Sequence, residues 1–170
     1  ERQKHLQNDP ATFIKMTDEY ILRVLLVTNI YPTPERPFTS PFVKEQVDAL
    51  RACYPDLLID VHVIEGERPR WAYLREIPLL PLKVRKGKYD IVHAHFGLTL
   101  ISTLLVRVPV VITFHGSDLL MNPTRYISRL LAPMASKVIV VSQKLRETLG
   151  YGEVIPCGID VRNFKLPASY

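Results

Sequence analysis

One short segment of the sequence combines residue types that are suited to binding or to acid–base chemistry. It is His115-Gly116-Ser117-Asp118, which directly follows an apolar run. Gly116 permits a sharp turn, so the imidazole of His115 can face outward and donate a hydrogen bond to a hydroxyl group or to developing charge. A histidine that is simply satisfied at the end of a strand is the alternative. Three roles are open for Asp118: orienting His115, capping the following turn, or binding hydroxyl groups of a ligand.

Two more histidines, His93 and His95, lie two residues apart in an apolar segment and therefore share one face of a strand. Such a pair is compatible with a metal ion, but no third ligand occurs at a persuasive spacing. We expect the two rings to pack and to hydrogen-bond at the end of a sheet, with His95 nearer the ligand. Cys53 and Cys157 are far apart and form no metal-binding motif. The sequence therefore predicts no metal site, and two unpaired cysteines are typical of a reducing, cytosolic compartment.

Two hydroxyl side chains, Thr39 and Ser40, precede Pro41 at the start of a helical pattern. Serine before proline is a common helix opening, so we expect Ser40 to cap this helix. The first N–H groups of the helix are also suited to binding an anion. Contact of Thr39 and Ser40 with a ligand therefore stays open beside the capping role.

Short apolar, β-rich runs alternate with segments of helical spacing along most of the chain. The predicted strands are Ile21–Val27, Leu58–Ile64, Tyr89–Ala94, Val108–Phe114, Lys137–Val141 and Val154–Ile155. The predicted helices follow Ser40, cover Leu98–Val106, open at Asn122-Pro123 and run from Ser142 to Gly150. This alternation predicts an α/β fold, namely a three-layer Rossmann-like parallel sheet with helices on both faces. Ligands bind such sheets at the carboxyl ends of the strands, where the polar segments lie.

The order and spacing of these strand-end motifs resemble the N-terminal domain of a GT-B glycosyltransferase of the retaining family 4 type. The resemblance covers roughly Ile21 to Phe164, and its motifs are Thr28-Asn29-Ile30-Tyr31-Pro32, Asp90–His95, Thr113–Asp118 and Cys157-Gly158-Ile159-Asp160. Two positions depart from the family pattern. Thr39-Ser40 stands where many members carry paired glycines, and Cys157 replaces the usual asparagine. We read the motif at Cys157 as structural.

The resemblance implies an enzyme that transfers a hexosyl group from a nucleotide-sugar donor to a hydroxyl acceptor, with retention of configuration. The acceptor is a sugar, a polysaccharide or a lipid-linked molecule, and no cofactor is implied beyond the donor substrate. In the family, the histidine at the position of His115 contacts the donor sugar near the reacting centre. We therefore take His115 and Asp118 as catalytic candidates. The binding candidates are Thr39, Ser40, His95, Gly116 and Ser117.

The same resemblance gives an expectation for domain organisation. Residues 1–20 form an N-terminal arm or an added extension, and residues 21–170 form the acceptor-side domain. The donor-binding C-terminal domain is expected after Tyr170, so this chain alone is expected to be inactive and to bind nucleotide sugar weakly. Two alternatives stay open: a GT-B sugar-nucleotide epimerase, and a non-catalytic half that anchors a partner subunit to a membrane. A dinucleotide-binding protein is disfavoured, since no G-x-G-x-x-G motif follows the first strand.

The net charge of +5 is concentrated in one segment, because residues 68–88 contain seven basic residues and one acid. Cations, aromatic residues and leucines together suit the surface of an anionic bilayer. The membrane candidates are Arg68, Arg70, Trp71, Arg85, Lys86 and Lys88. The alternative is a solvated basic loop with its leucines folded inward. A nucleic-acid partner is not predicted, because no recognised binding module accompanies the charge. The expected location is the cytoplasm, with peripheral attachment to the inner face of the membrane.

Overall fold

The computed structural model describes residues 21–64, 71–121 and 123–158 of the chain. Its strands are β1 (Leu22–Thr28), β2 (Leu57–Val63), β3 (Ile91–His95), β4 (Val110–Phe114), β5 (Lys137–Val140) and β6 (Glu153–Val154). Its α-helices are α1 (Pro41–Cys53), α2 (Trp71–Gly87), α3 (Ser117–Leu120), α4 (Thr124–Leu131) and α5 (Gln143–Leu149). All strand pairs are parallel, in the order β2-β1-β3-β4-β5-β6. The predicted α/β fold with a Rossmann-like parallel sheet is confirmed.

The helices are divided unequally between the two faces of this sheet. Parallel crossovers are right-handed, and only the β1–α1–β2 crossover moves outward in the β2 direction, whereas every later crossover moves toward β6. Helix α1 therefore covers one face alone. The core reflects this division: Val43 and Val47 of α1 pack with Leu26, whereas the neighbouring Leu25 and Val27 belong to the larger core on the other face.

Helix α2 is the one long element that the sequence pattern did not reveal as a helix. It runs through Pro78 and Pro81, although a proline inside a helix removes a backbone donor. Buried Tyr73 and Leu80 anchor it to the larger core. The buried carboxylate of Glu76 lies 3.0 Å from the imidazole Nε2 of His62 on β2 and so fixes the helix to the edge of the sheet. The predicted alternative of a loop is therefore wrong, because buried side chains on one side stabilise the helix despite its prolines.

Two other predicted helices differ in form from the expectation. The segment predicted as Leu98–Val106 is a 3₁₀ helix from Gly97 to Thr103. The hydroxyls of Thr99, Ser102 and Thr103 bond to carbonyls three residues back, in keeping with the tighter winding. The helix predicted to open at Asn122-Pro123 is α4, and the sequence predicts one apolar stripe along it, formed by Tyr126, Ile127, Leu130, Leu131 and Met134. Leu131 packs against the core, whereas Tyr126, Leu130 and Met134 are exposed and Ser128 is the fully buried residue of α4. Among the described residues, no helix combines the length and hydropathy that crossing a membrane requires.

Candidate active site

The carboxyl ends of β3 and β4 bring three histidines into one cluster, which we call the histidine cluster: His93, His95 and His115. The two strands are neighbours in the sheet, and His95 lies opposite Thr113 in their register. The rings of His93 and His95 are 4.4 Å apart between centroids, and those of His95 and His115 are 5.1 Å apart. His95 and His115 are 20 positions apart in the chain, and the parallel pairing of β3 and β4 places the three imidazoles side by side.

Hydrogen bonds fix each ring of the histidine cluster. The Nε2 atom of His93 lies 2.8 Å from the hydroxyl of Thr113. The Nδ1 atom of His95 lies 2.9 Å from the Nε2 atom of His115. His95 has no exposed surface, so it does not reach a ligand itself, whereas His115 is partly exposed. Burial thus excludes His95 from contact with a bound molecule, whereas His93 and His115 are both partly exposed.

Burial keeps the histidine cluster uncharged. It lowers the pKa of His93 to about 4. Burial, followed by the proximity of His93, lowers the pKa of His115 to about 4. The pKa of His95 is well below its usual 6.5, first from burial and second from the two neighbouring histidines. All three rings are therefore neutral at pH 7, and each offers one N–H donor and one acceptor nitrogen.

The turn that follows His115 is built around the carboxylate of Asp118. This carboxylate accepts hydrogen bonds from the backbone N–H groups of Gly116 at 2.8 Å, of His115 at 3.2 Å and of Gly97 at 3.2 Å. Gly116 has a φ of 128°, which a side chain would strain. Asp118 is itself buried, and burial raises its pKa while the backbone donors act in the opposite direction. Three roles were open for Asp118. This geometry favours capping the turn, and the capped turn orients His115.

Two aromatic rings pack on His115 and were not identified from the sequence. The centroid of Phe42, in the first turn of α1, lies 4.8 Å from that of His115, and Phe96 lies 4.6 Å away. Phe96 adopts a φ of 69°, which is unusual for a bulky residue and typical of functional sites. In the sequence, the position of Phe96 directly after His95 was the only feature that could have indicated a role in this site. These contacts hold the imidazole in place and exclude water from its faces.

The helix opening at Ser40 differs from the prediction. Ser40 has left-handed backbone angles, with φ 47° and ψ 56°, and its side chain makes no capping hydrogen bond. Its carbonyl accepts from the N–H of Val43 instead. The prediction of a serine cap is wrong, because a capping serine needs extended backbone angles to aim its hydroxyl at the helix. Among the described residues, no hydrogen bond joins Thr39 or Ser40 to the histidine cluster. Ser117, the first residue of α3, is exposed.

A cavity of about 740 Å³ opens beside His115, on the sheet face that α1 covers only in part. Its wall is mostly apolar and includes Phe42, Ala49, Leu50, Thr113, Ile139, Val141, Ile155, Pro156 and Cys157. The sulfur of Cys157 lies 3.7 Å from the Nδ1 atom of His115. Burial raises the pKa of this thiol, so it stays protonated and is a poor nucleophile at neutral pH. The Nδ1 atom of His115 is thus linked to the cavity wall by a weak contact with the sulfur of Cys157.

The residues proposed for membrane binding lie elsewhere, on α2 and directly after it. Trp71, Arg85, Lys86 and Lys88 are exposed there, whereas Arg68 and Arg70 lie outside the described residues. Helix α2 packs on the sheet face opposite to α1. Within the described ranges, no group of three or more His, Cys, Asp or Glu residues is arranged to hold a metal ion.

Comparisons with known proteins agree with this architecture. The chain resembles UDP-N-acetylglucosamine 2-epimerase from Rickettsia bellii, with 11% identity and a TM-score of 0.56 over 76% of this chain and 41% of that one. It also resembles MnaA of S. aureus in complex with UDP, with 14% identity and a TM-score of 0.51 over 75% of this chain and 40% of that one. At this identity the likeness concerns the fold, and the chain spans about two fifths of the length of those structures.

Sequence comparison gives a more specific result. None of the curated proteins compared with the chain matches it. The model of Glycosyltransferase Family 4 matches residues 22–163, and the predicted resemblance to this family is confirmed. Because that match covers far more than half of the chain, the chain belongs to Glycosyltransferase Family 4.

Proposed function

We propose that this chain is the acceptor-side half of an enzyme that transfers a hexosyl group from a nucleotide sugar to a hydroxyl acceptor, with retention of configuration. The observation that carries the proposal is the placement of His115. It is a neutral imidazole at the carboxyl end of β4, with one nitrogen held by His95 and the other in contact with Cys157, a residue of the cavity wall. Such a donor suits a sugar hydroxyl or the charge that develops as a glycosidic bond breaks.

The division of labour in this proposal rests on the resemblance to GT-B enzymes. The chain spans only about 40% of the structures that it resembles, and in GT-B enzymes the donor lies mainly on the second domain. The isolated chain is therefore expected to show no transfer and only weak nucleotide-sugar binding. Calorimetric titration with UDP-activated sugars tests this: tight binding by the chain alone contradicts the assignment of the donor site to the second domain.

Sugar-nucleotide 2-epimerisation is the second candidate, and the fold comparison is the observation that favours it. The full-length protein, incubated with a UDP-sugar but no acceptor in deuterated water, distinguishes the two. Epimerisation at C2 gives a new sugar nucleotide and exchanges the hydrogen at that carbon, whereas a transferase leaves C2 unlabelled. The family membership favours transfer.

A second part of the proposal concerns the location of the enzyme, on the inner face of an anionic membrane. Helix α2 exposes Trp71, Leu74, Leu79 and Leu82 beside its cations, with Leu82 62% exposed. Residues 71–135 contain eight basic residues and only three acids. Two of these acids, Glu76 and Asp118, are buried, and Asp90 is half-buried with its carboxylate bonded to the backbone of β1. Exposed apolar side chains beside cations are the composition that binds an anionic bilayer interface.

Co-sedimentation with vesicles that contain about 30% anionic lipid tests this part. Replacing Arg85, Lys86 and Lys88 by serine is expected to abolish binding. The matched control replaces the exposed Lys44, Lys137 and Lys144 by serine, with the same loss of charge on other elements. Equal loss in both variants indicates general electrostatics, and binding that survives the first triple substitution contradicts the proposed surface.

A further inference from the structure

Both ring nitrogens of His115 have a neighbour, and the two neighbours differ in character. The Nε2 atom lies 2.9 Å from the Nδ1 atom of His95, and the Nδ1 atom lies 3.7 Å from the sulfur of Cys157. A neutral imidazole carries its hydrogen on one nitrogen only. The bond between the two histidines therefore contains one hydrogen, and whichever ring supplies it fixes the tautomer of both.

The second ring nitrogen of His95, Nε2, decides which of the two rings supplies that hydrogen. The Nε2 atom of His95 is buried and has no hydrogen-bond partner among the described residues. If His95 carried its hydrogen there, a donor would be buried without an acceptor, which is energetically costly. If the hydrogen is on Nδ1, it is used in the bond to His115 and only a lone pair is left unused. Buried N–H groups without a partner are rarer than unused acceptors.

We infer that His95 is a positioning residue, which donates its Nδ1–H to Nε2 of His115 and thereby places the hydrogen of His115 on the Nδ1 atom beside Cys157, a residue of the cavity wall. Phe42 and Phe96 pack on the ring and keep this orientation. Among the described residues, the hydrogen-bond partner of this Nδ1–H is the thiol of Cys157, and sulfur is a weak acceptor. The site therefore presents a donor that a ligand oxygen can engage by displacing the sulfur.

This tautomer of His115 limits which ligand groups can hydrogen-bond to it. The contacting atom of the ligand must be a hydrogen-bond acceptor, such as the oxygen of a sugar hydroxyl or of a phosphate. A ligand group that only donates, such as an ammonium, finds no acceptor at His115. The identification of that oxygen with a sugar rests on the proposed function, whereas the tautomer itself is a property of the free chain.

Long-range ¹H–¹⁵N correlation spectra of the labelled chain at pH 7.5, without substrate, test the inference. The expected spectrum shows a protonated Nδ1 and an unprotonated Nε2 for both His95 and His115. A His95→Leu variant is expected to release His115, so that a population with protonated Nε2 appears. A Cys157→Ala variant is expected to keep the wild-type tautomer, because the sulfur does not set it.

Three results overturn the inference: a protonated Nε2 of His115 in the wild type, a changed tautomer in Cys157→Ala, or an unchanged one in His95→Leu. If the leucine variant does not fold, the wild-type and Cys157→Ala spectra decide on their own. No substrate is present in any sample, so the result is independent of whether the transferase proposal holds.

Discussion

The carboxylate of Asp118 offers the sharpest test of how the candidate site is held together. Three backbone N–H groups, those of Gly97, His115 and Gly116, depend on it for an acceptor. The Asp118→Ala substitution leaves all three without their partner, in a region where Asp118 itself is only 5% exposed. The change is small in volume, so the expected effect comes from lost hydrogen bonds rather than from a large cavity.

The magnitude follows from those donors. Leaving a buried donor unsatisfied costs about 1–3 kcal/mol. The three costs do not add fully, because Gly116 and His115 are partly exposed and water can reach them after the change. Burial disfavours the charged form of this carboxylate, so its removal recovers part of the lost free energy of unfolding. We therefore expect Asp118→Ala to lower the free energy of unfolding by about 2–4 kcal/mol. Asp118→Asn, which keeps one acceptor oxygen, is expected to lose about half as much.

Urea unfolding followed by circular dichroism measures these losses. The matched control is Asp48→Ala, because Asp48 lies on the exposed surface of α1, where its carboxylate pairs with Lys44. That change is expected to stay within about 0.5 kcal/mol of the wild type. If Asp118→Ala is no more destabilising than Asp48→Ala, the carboxylate does not support the turn, and the account of how His115 is oriented is wrong.

Two further predictions concern the same region. The pKa of His93 is about 4 in the folded chain and near 6.5 when unfolded, so its contribution to stability is complete above pH 6.5 and is lost as the pH falls toward 4. The loss of unfolding free energy from this group is on the order of 3 kcal/mol. Urea midpoints measured between pH 7 and pH 4 should therefore fall less steeply in His93→Asn than in the wild type. Equal pH dependence in the two proteins contradicts the prediction. Gly97→Ala would place a methyl carbon 1.8 Å from the hydroxyl oxygen of Ser128, which overpacks the core and should cost about 1–3 kcal/mol. Thermal unfolding should show the melting temperature largely restored in Gly97→Ala with Ser128→Gly, and failure of that rescue indicates another cause.

The strands were predictable because a parallel sheet covered on both faces gives continuous apolar runs. The first strand was predicted at Ile21–Val27 and is observed at Leu22–Thr28. Helix α2 was not predictable in the same way. Pro78 and Pro81 oppose a helix, and the exposed Leu79 and Leu82 blur the spacing of its buried residues. Tertiary packing, which sequence periodicity does not contain, decides the structure of this segment.

The candidate site was predictable in its location but not in its contacts. Because the carboxyl ends of parallel strands lie at one edge of a sheet, His95 and His115 were expected at the same edge. The structure shows them in contact there. The contacts of Phe42 and Cys157 with His115 join residues far apart in the chain, the latter 42 positions distant. No local pattern predicts such pairs. The backbone of Ser40 shows the opposite case, since a favourable local signal for capping was overridden by the shape of the preceding loop.

The most direct test of the central claim is transfer by the full-length protein that contains this chain. The protein and its His115→Ala variant are incubated with nucleotide-activated hexoses, with and without hydroxyl acceptors. We predict nucleotide release that depends on an acceptor, a glycoside with the anomeric configuration of the donor, and a loss of about 100-fold or more in the variant. Acceptor-independent conversion of the sugar nucleotide, or full activity of His115→Ala, would contradict the account.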